Sequence, residues 1–277
     1  MPELPEVETV KRGLNELLKK HEAKIIGLKT SKEALRFPYP KGLKNQLENK
    51  KITSIDRRAK YLLFMIGDGP TLVSHLGMTG NWRELQPGEN QFLKHDHFRL
   101  LLESGHQWIY NDSRRFGFLD IVDPVDLKTS KWFHHLGPEP TTSKEFDENY
   151  LFAKTRKKQA PIKNVIMDQT IVVGVGNIYA SEALFLAGVD PKKLAGKVSK
   201  EECRKIVVSI SKVLKAAIRL GGTTIRDFKS AGGSEGYFAQ NLQVYGRKGE
   251  SCFQCHTTIQ KSVLAGRATY WCKKCQK

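Results

Sequence analysis

Between residues 4 and 20, Val7, Val10, Leu14, Leu17 and Leu18 recur at helical spacing with charged side chains on the other face. This predicts an amphipathic helix beginning just after the start of the chain. From about residue 23 to 123 the texture changes. Short runs rich in β-branched and aromatic residues, Ile25–Leu28, Tyr61–Ile66, Thr71–Leu76, Phe98–Leu102, Gln107–Tyr110 and Phe118–Val122, alternate with turn signals. Gly67-Asp68-Gly69-Pro70 and Glu103-Ser104-Gly105 read as hairpin connections. An antiparallel sandwich or barrel of short strands, flanked by the first helix, is the economical expectation. Residues 135–143 read as a linker, because two prolines and a glycine prevent either a helix or a central strand. Beyond them the pattern is helical, apart from an apolar run, Ile171–Val175, of strand or short-helix length. Ser199 and Glu202 form a capping box. Cys203, Ile206, Val207, Ile210, Val213, Leu214 and Ala217 then make one apolar stripe that ends at Gly221-Gly222.

Composition narrows the class. With 39% hydrophobic and 27% charged residues, the 277-residue chain has material for a packed interior, so wholesale disorder is excluded. Its 46 basic and 29 acidic residues leave a net charge of +17, which raises the local concentration of polyanions and makes nucleic acid or an anionic membrane surface the leading partner class. No apolar run approaches the ~18 residues of a membrane span. The glutamate-rich opening MPELPEVETV is not a signal peptide, so a cytoplasmic location is expected.

Four of the five cysteines lie in the last 26 residues as Cys252-x-x-Cys255 and Cys272-x-x-Cys275, 16 residues apart. That spacing suits four thiolates on one tetrahedral Zn²⁺, a closed site whose role would be structural. A pair of redox dithiols is the competing reading. From Arg247 onward the segment holds seven Lys or Arg against one acid, Glu250, so a stapled basic hairpin able to contact nucleic acid is expected.

The chain start permits unusual chemistry. Removal of Met1 would expose Pro2 as a secondary amine. An α-amino group offers roughly a few hundred times more free base at neutral pH than a lysine does. Condensed with an aldehyde carbon, such an amine gives an iminium that cannot shed its charge by N-deprotonation, an efficient electron sink for elimination. Glu3, Glu6 and Glu8 stand beside it as acid or base groups.

MPELPEVE, RRAKYLL, SHLGMTG, KHDHF, RRFG, GVGNIYA, GYFAQNLQVYGR and the paired C-x-x-C turns follow one another from residue 2 to 276. Together they resemble the formamidopyrimidine-DNA glycosylases, bacterial 8-oxoguanine glycosylases and AP lyases. The LPEVE opening points to these rather than to endonuclease VIII, which prefers oxidised pyrimidines. The resemblance implies an α+β multi-domain fold: an N-terminal antiparallel β-sandwich with flanking helices, a helix-two-turn-helix domain and a four-cysteine β-hairpin zinc finger. Its parts would be a catalytic domain (1–134), the linker (135–143), the helical domain (144–222), a lesion loop and lead-in (223–246) and the finger (247–277). It also implies roles. Pro2 would attack C1′ of the damaged nucleotide, Glu3 would protonate the sugar ring oxygen, and Glu6 would position substrate. Lys60 would serve β-elimination and phosphate contact, and Arg267 would serve δ-elimination from the finger tip. Many members carry glycine where this chain has Ala268. Met78, Arg114 and Phe116 would fill the space left by an everted nucleotide. His95, Lys158 and Asn177 would contact DNA, with Lys163 a further candidate on the same basic run, and residues 229–238 would form a lid in which Tyr237 or Phe238 packs. The partner would be duplex DNA with oxidised purines, bound by a monomer with one structural Zn²⁺ and no small-molecule cofactor. A non-catalytic zinc-finger DNA-binding protein is the rival from another class.

Overall fold

The computed structural model describes residues 2–91, 93–223 and 238–277. The chain divides into two compact units, residues 1–134 with 221–236, and residues 135–220 with 237–277.

In the first unit, α1 spans Leu4–Lys20. Glu3 is its N-cap, Pro5 lies in the first turn where a missing N–H costs nothing, and Lys19 and Lys20 face the negative end of the helix dipole. Its Val7, Val10 and Leu14 enter the core beside a short helix α2, Leu43–Leu47. Among the described residues eight strands follow: β1 (Ile25–Thr30), β2 (Ile52–Arg58), β3 (Tyr61–Ile66), β4 (Thr71–His75), β5 (Asn81–Leu85), β6 (Asp96–Leu102), β7 (Gln107–Asn111) and β8 (Phe118–Val122). They form two four-stranded sheets, ordered β1-β6-β7-β5 and β2-β3-β4-β8, with every pairing antiparallel. One core joins the inner faces. Phe64 on β3 meets Trp82 on β5 with ring centroids 4.9 Å apart, and Phe98, Trp108 and Tyr110 are fully buried around them.

The predicted helix and six predicted strands are present, and both turn signals close hairpins. β2 and β5 are additional. A register shift between Ile52 and Ser54 breaks the alternation of β2, which buries only Ile52 and Ile55, and β5 buries only Trp82 and Leu85. Strand pairing, rather than their own pattern, makes them strands.

In the second unit, α3 (Glu148–Thr155), α4 (Ile162–Ile166), α5 (Asn177–Ala187) and α6 (Lys200–Arg219) precede a hairpin of β9 (Gln260–Leu264) and β10 (Arg267–Trp271). The Ser199–Glu202 capping box of α6 is made in both directions. Ile171–Val175 is neither strand nor helix but a fully buried irregular segment. The Ile171 and Val172 N–H groups donate to the Asp168 carbonyl and that of Val173 to the Pro138 carbonyl, while the Gln169 side-chain carbonyl accepts from the Gly174 N–H at 2.8 Å and its amide donates to the Val175 carbonyl at 3.2 Å. Among the described residues no helix is long and apolar enough to cross a membrane.

Candidate functional site

The start of the chain is built around two buried carboxylates. Pro2 is buried one residue ahead of the N-cap. Glu3 and Glu6 form a reciprocal capping box, in which the Glu3 N–H donates to Glu6 Oε2 at 2.8 Å. The other oxygen, Glu6 Oε1, accepts from the Thr223 N–H at 2.8 Å and the Thr223 hydroxyl at 3.0 Å. Gly222 next to it has φ +80°, and a Cβ there would come within 2.8 Å of Glu6 Oε1. Glu6 therefore fixes both the first turn of α1 and residues 222–223, and its fully engaged carboxylate fits the expected positioning role. Glu8 is a different case. Burial alone would raise its pKa, but hydrogen bonds from Arg57 (2.9 Å) and Lys11 outweigh burial and hold it below the usual carboxylate range. It is an ion-pair partner rather than a poised acid.

Lys60 occupies a two-residue turn, Ala59-Lys60, between β2 and β3 and is 8% exposed. It is thus no solvated strand lysine. Its charge acts on His75, whose imidazole is lowered to about 4 by burial first, then by the Lys60 and Arg36 cations. The His75 Nδ1 accepts the Gly77 N–H at 3.1 Å, so the neutral ring supports the next turn.

That turn carries Met78, half-buried, and lies against the loop that carries Arg114 and Phe116. Phe116 is 45% exposed, and the Arg114 guanidinium sits 4.7 Å from its ring centroid, so an apolar wedge and a donor project together. The loops meet backbone to backbone: a Cβ on Gly77 would lie 2.3 Å from the Gly117 nitrogen, so any side chain there would drive the loops apart. Asp112, wholly buried, joins them. Its Oδ1 accepts the Thr79 hydroxyl at 2.5 Å and, more loosely, the Arg114 N–H at 3.3 Å, while Oδ2 accepts the Gly117 N–H at 2.8 Å. Its own N–H donates to the His95 carbonyl at 3.0 Å. His95, half-buried, is thereby tied to the same node. Sequence reasoning missed Asp112 and Thr79. The available signal was an aspartate two residues before an arginine at a strand end, the usual opening of a side-chain-stabilised turn.

In the second unit Lys158 is exposed, as a phosphate contact requires. Lys163 is not. It is 1% exposed, and Nζ donates to Asn177 Oδ1 (2.5 Å), Thr269 Oγ1 (2.8 Å) and the Ala268 carbonyl (3.1 Å). Asn177, the first residue of α5, also donates from Nδ2 to the Ala268 carbonyl at 3.0 Å. The expectation that Lys163 meets DNA is corrected: basic residues flanking it misled, and it instead holds the finger strand to the start of α5. Arg267 follows the two-residue turn Ala265-Gly266, both left-handed (φ 45° and 73°), which gives the primed hairpin geometry matching strand twist. Ala268 lies in β10 opposite Val263, so the departure from glycine falls on the strand and leaves the turn intact. Residues 229–237 of the expected lid lie outside the described residues. Phe238 is buried against Tyr179, ring centroids 5.7 Å apart.

The four cysteines converge, with all sulfurs within 4.8 Å of one another. Cys252 and Cys275 are 3.9 Å apart and Cys255 and Cys272 are 3.4 Å apart. Four thiolates at the ~2.3 Å Zn–S distance would be about 3.8 Å apart, so the set is able to hold a metal ion. Phe185, Val244 and Ile259 bury Cys252 and Cys272. A closed, partly dry tetrahedron leaves no vacant position for a substrate.

Residues 1–119 match the model of the formamidopyrimidine-DNA glycosylase N-terminal domain, and residues 136–229 match that of the formamidopyrimidine-DNA glycosylase H2TH domain. A formamidopyrimidine-DNA glycosylase of Hahella chejuensis is 43% identical over 277 residues, all of each chain. Wild-type Lactococcus lactis Fpg in complex with N7-benzyl-Fapy-dG containing DNA superimposes with a TM-score of 0.90 at 39% identity, covering all of both chains. MutM in complex with carbocyclic 8-oxo-G containing DNA gives 0.89 at 39%, again over all of both chains.

Proposed function

The chain belongs to the formamidopyrimidine-DNA glycosylase family and is a DNA glycosylase and AP lyase that excises oxidised purines in base excision repair; we propose that it does so through a prolyl iminium formed at Pro2. The Pro2 nitrogen attacks C1′, the bond from C1′ to the base nitrogen breaks, and the damaged purine departs. Glu3 gives its proton to the ring oxygen as the sugar opens, which leaves the iminium as the electron sink. Loss of a C2′ proton expels the 3′-phosphate and a second elimination expels the 5′-phosphate, so the strand is nicked by β,δ-elimination. Lys60 serves the first elimination and its phosphate. Arg267 serves the second, where a planar guanidinium fits a phosphate by two parallel hydrogen bonds.

The observation that carries this reading is the buried start of α1, where two carboxylates locked by a capping box follow directly on Pro2, a secondary amine once Met1 is removed. Around it, Met78 and Phe116 act as wedges and Arg114 reads the estranged base, a cytosine opposite 8-oxoguanine. His95, Lys158 and Asn177 hold the backbone, Asn177 through the N-terminus of α5. The four cysteines bind one Zn²⁺, which supplies only the fold of the hairpin presenting Arg267. With its substrate in the chromosome, the enzyme acts in the cytoplasm.

Borohydride reduction during incubation with an 8-oxoguanine:C duplex tests the proposal. The expected product is a covalent adduct mapping to residue 2, absent from a variant extended at the N-terminus that still binds DNA. Full base release by the extended variant would refute Pro2 as nucleophile. Faster excision of thymine glycol than of 8-oxoguanine would move the substrate to oxidised pyrimidines.

A further inference from the structure

The first unit gathers a second set of metal-ligating side chains, remote from the chemistry above. His21 is the C-cap of α1, Glu84 lies on β5 and His106 immediately precedes β7. α1 is 17 residues long, so His21 sits about 25 Å along the helix from Pro2. One ligand atom from each residue lies within 4.8 Å of the other two. The His21 and His106 rings stack, centroids 3.7 Å apart and 5° from parallel, and His21 Nε2 is 2.6 Å from Glu84 Oε1.

A single hydrogen bond would be enough to pin a helix end to a sheet. Here two imidazoles and a carboxylate converge, and groups outside the cluster orient two of them. The Trp108 indole N–H donates to Glu84 Oε1 at 3.0 Å, and Gln86 donates to Glu84 Oε2 at 3.1 Å. The Ser104 hydroxyl lies 3.1 Å from His106 Nδ1. Outer partners that fix ligand orientation are a regular feature of protein metal sites. The side chains of His21 and Glu84 are only 14% and 8% exposed, so these two are held in place. Stacked rings 5° from parallel aim their lone pairs into separate planes, so the His106 ring would have to turn out of the stack to share an ion with His21.

We propose that His21, Glu84 and His106 form a second metal site, taking a divalent transition ion that prefers imidazole and carboxylate, with water completing the coordination. Two ligands ~2.1 Å from one ion are about 3.0–3.4 Å apart. The His21–Glu84 contact therefore opens by a few tenths of an ångström, and the hydrogen-bonding proton between them passes to solvent as the ion enters. The bound ion would tie the last turn of α1 to the sheet.

The full-length protein, with its cysteine metal retained, is titrated with Ni²⁺ alone. The expected result is one saturable equivalent, with paramagnetic broadening of two of the eight histidine imidazole signals, those of His21 and His106. His106→Ala, in an accessible turn, should bind at least ~10-fold more weakly, and His134→Ala should bind as the parent does. Absence of a saturable equivalent, unchanged affinity in His106→Ala, or broadening at other histidines would overturn the site. The broadening is read on the unaltered protein, so the test does not depend on any variant folding.

Discussion

Asp112 offers the sharpest perturbation, because one buried carboxylate holds the Met78 turn to the Arg114–Phe116 loop. Asp112→Ala removes the acceptor for the Thr79 hydroxyl and the Gly117 N–H, both short bonds, and for the longer Arg114 N–H contact. A hydrogen bond to a charged group contributes about 1.5–3 kcal/mol. Counting the two short bonds and discounting the third, the loss is about 3–6 kcal/mol. For a unit of this size that lowers Tm by roughly 10 °C, at about 2–4 °C per kcal/mol. Asp112→Asn keeps one acceptor oxygen and should cost about 1–2 kcal/mol, so it folds and can be assayed. The Met78 turn and the Arg114–Phe116 loop should then uncouple. Discrimination between 8-oxoguanine opposite cytosine and opposite adenine should shrink toward unity, while borohydride trapping on an abasic duplex persists, because no base need be read. Urea unfolding and single-turnover excision on the two duplexes measure both effects. An Asp112→Asn protein with parental midpoint and parental discrimination would refute the reasoning.

The neutral His75 should make stability pH-dependent. Its pKa is about 4 in the folded chain and near 6.5 unfolded, so between these values the unfolded state binds the extra proton and stability rises with pH. The full difference is worth about 3 kcal/mol, and His75→Gln should flatten that part of the denaturation profile between pH 4 and 6.5. Lys163→Met should destabilise the second unit by about 1–3 kcal/mol, since it strips three acceptors of their donor while relieving a buried charge. Nicking should fall further than base release, and equal losses in the two would count against the finger-positioning role. Metal analysis should give one Zn²⁺ on the cysteines, and chelation should abolish nicking; full nicking by metal-free protein would overturn the structural role of the ion.

The sequence showed most of the framework because its signals were local. The α1 stripe, the capping box at Ser199 and the hairpin turns at 67–70 and 103–105 each depend on residues a few positions apart. β2 and β5 were hidden because their burial departs from strict alternation and only their neighbours define them. Ile171–Val175 showed that an apolar run need not be regular: the Gln169 side chain and the carbonyls of Asp168 and Pro138 together supply hydrogen bonds that helix or sheet would otherwise provide. In the site, the cysteine spacing and the chain-start carboxylates were legible. The burial of Lys163 was not, because its partners Thr269 and Ala268 are more than 100 residues away and nothing in a basic run says which lysine turns inward.

The cage around Lys163 also bears on modularity. A cysteine-stapled hairpin suggests a cassette that could be cut out and grafted onto another scaffold. Yet the carbonyl beside its terminal arginine is gripped from outside by an ammonium and an amide on a different stretch of chain. A transplanted hairpin would keep its four cysteines and lose the outside grip on β10. Engineers seeking to exchange such tips between repair proteins would have to move Lys163 and Asn177 with them.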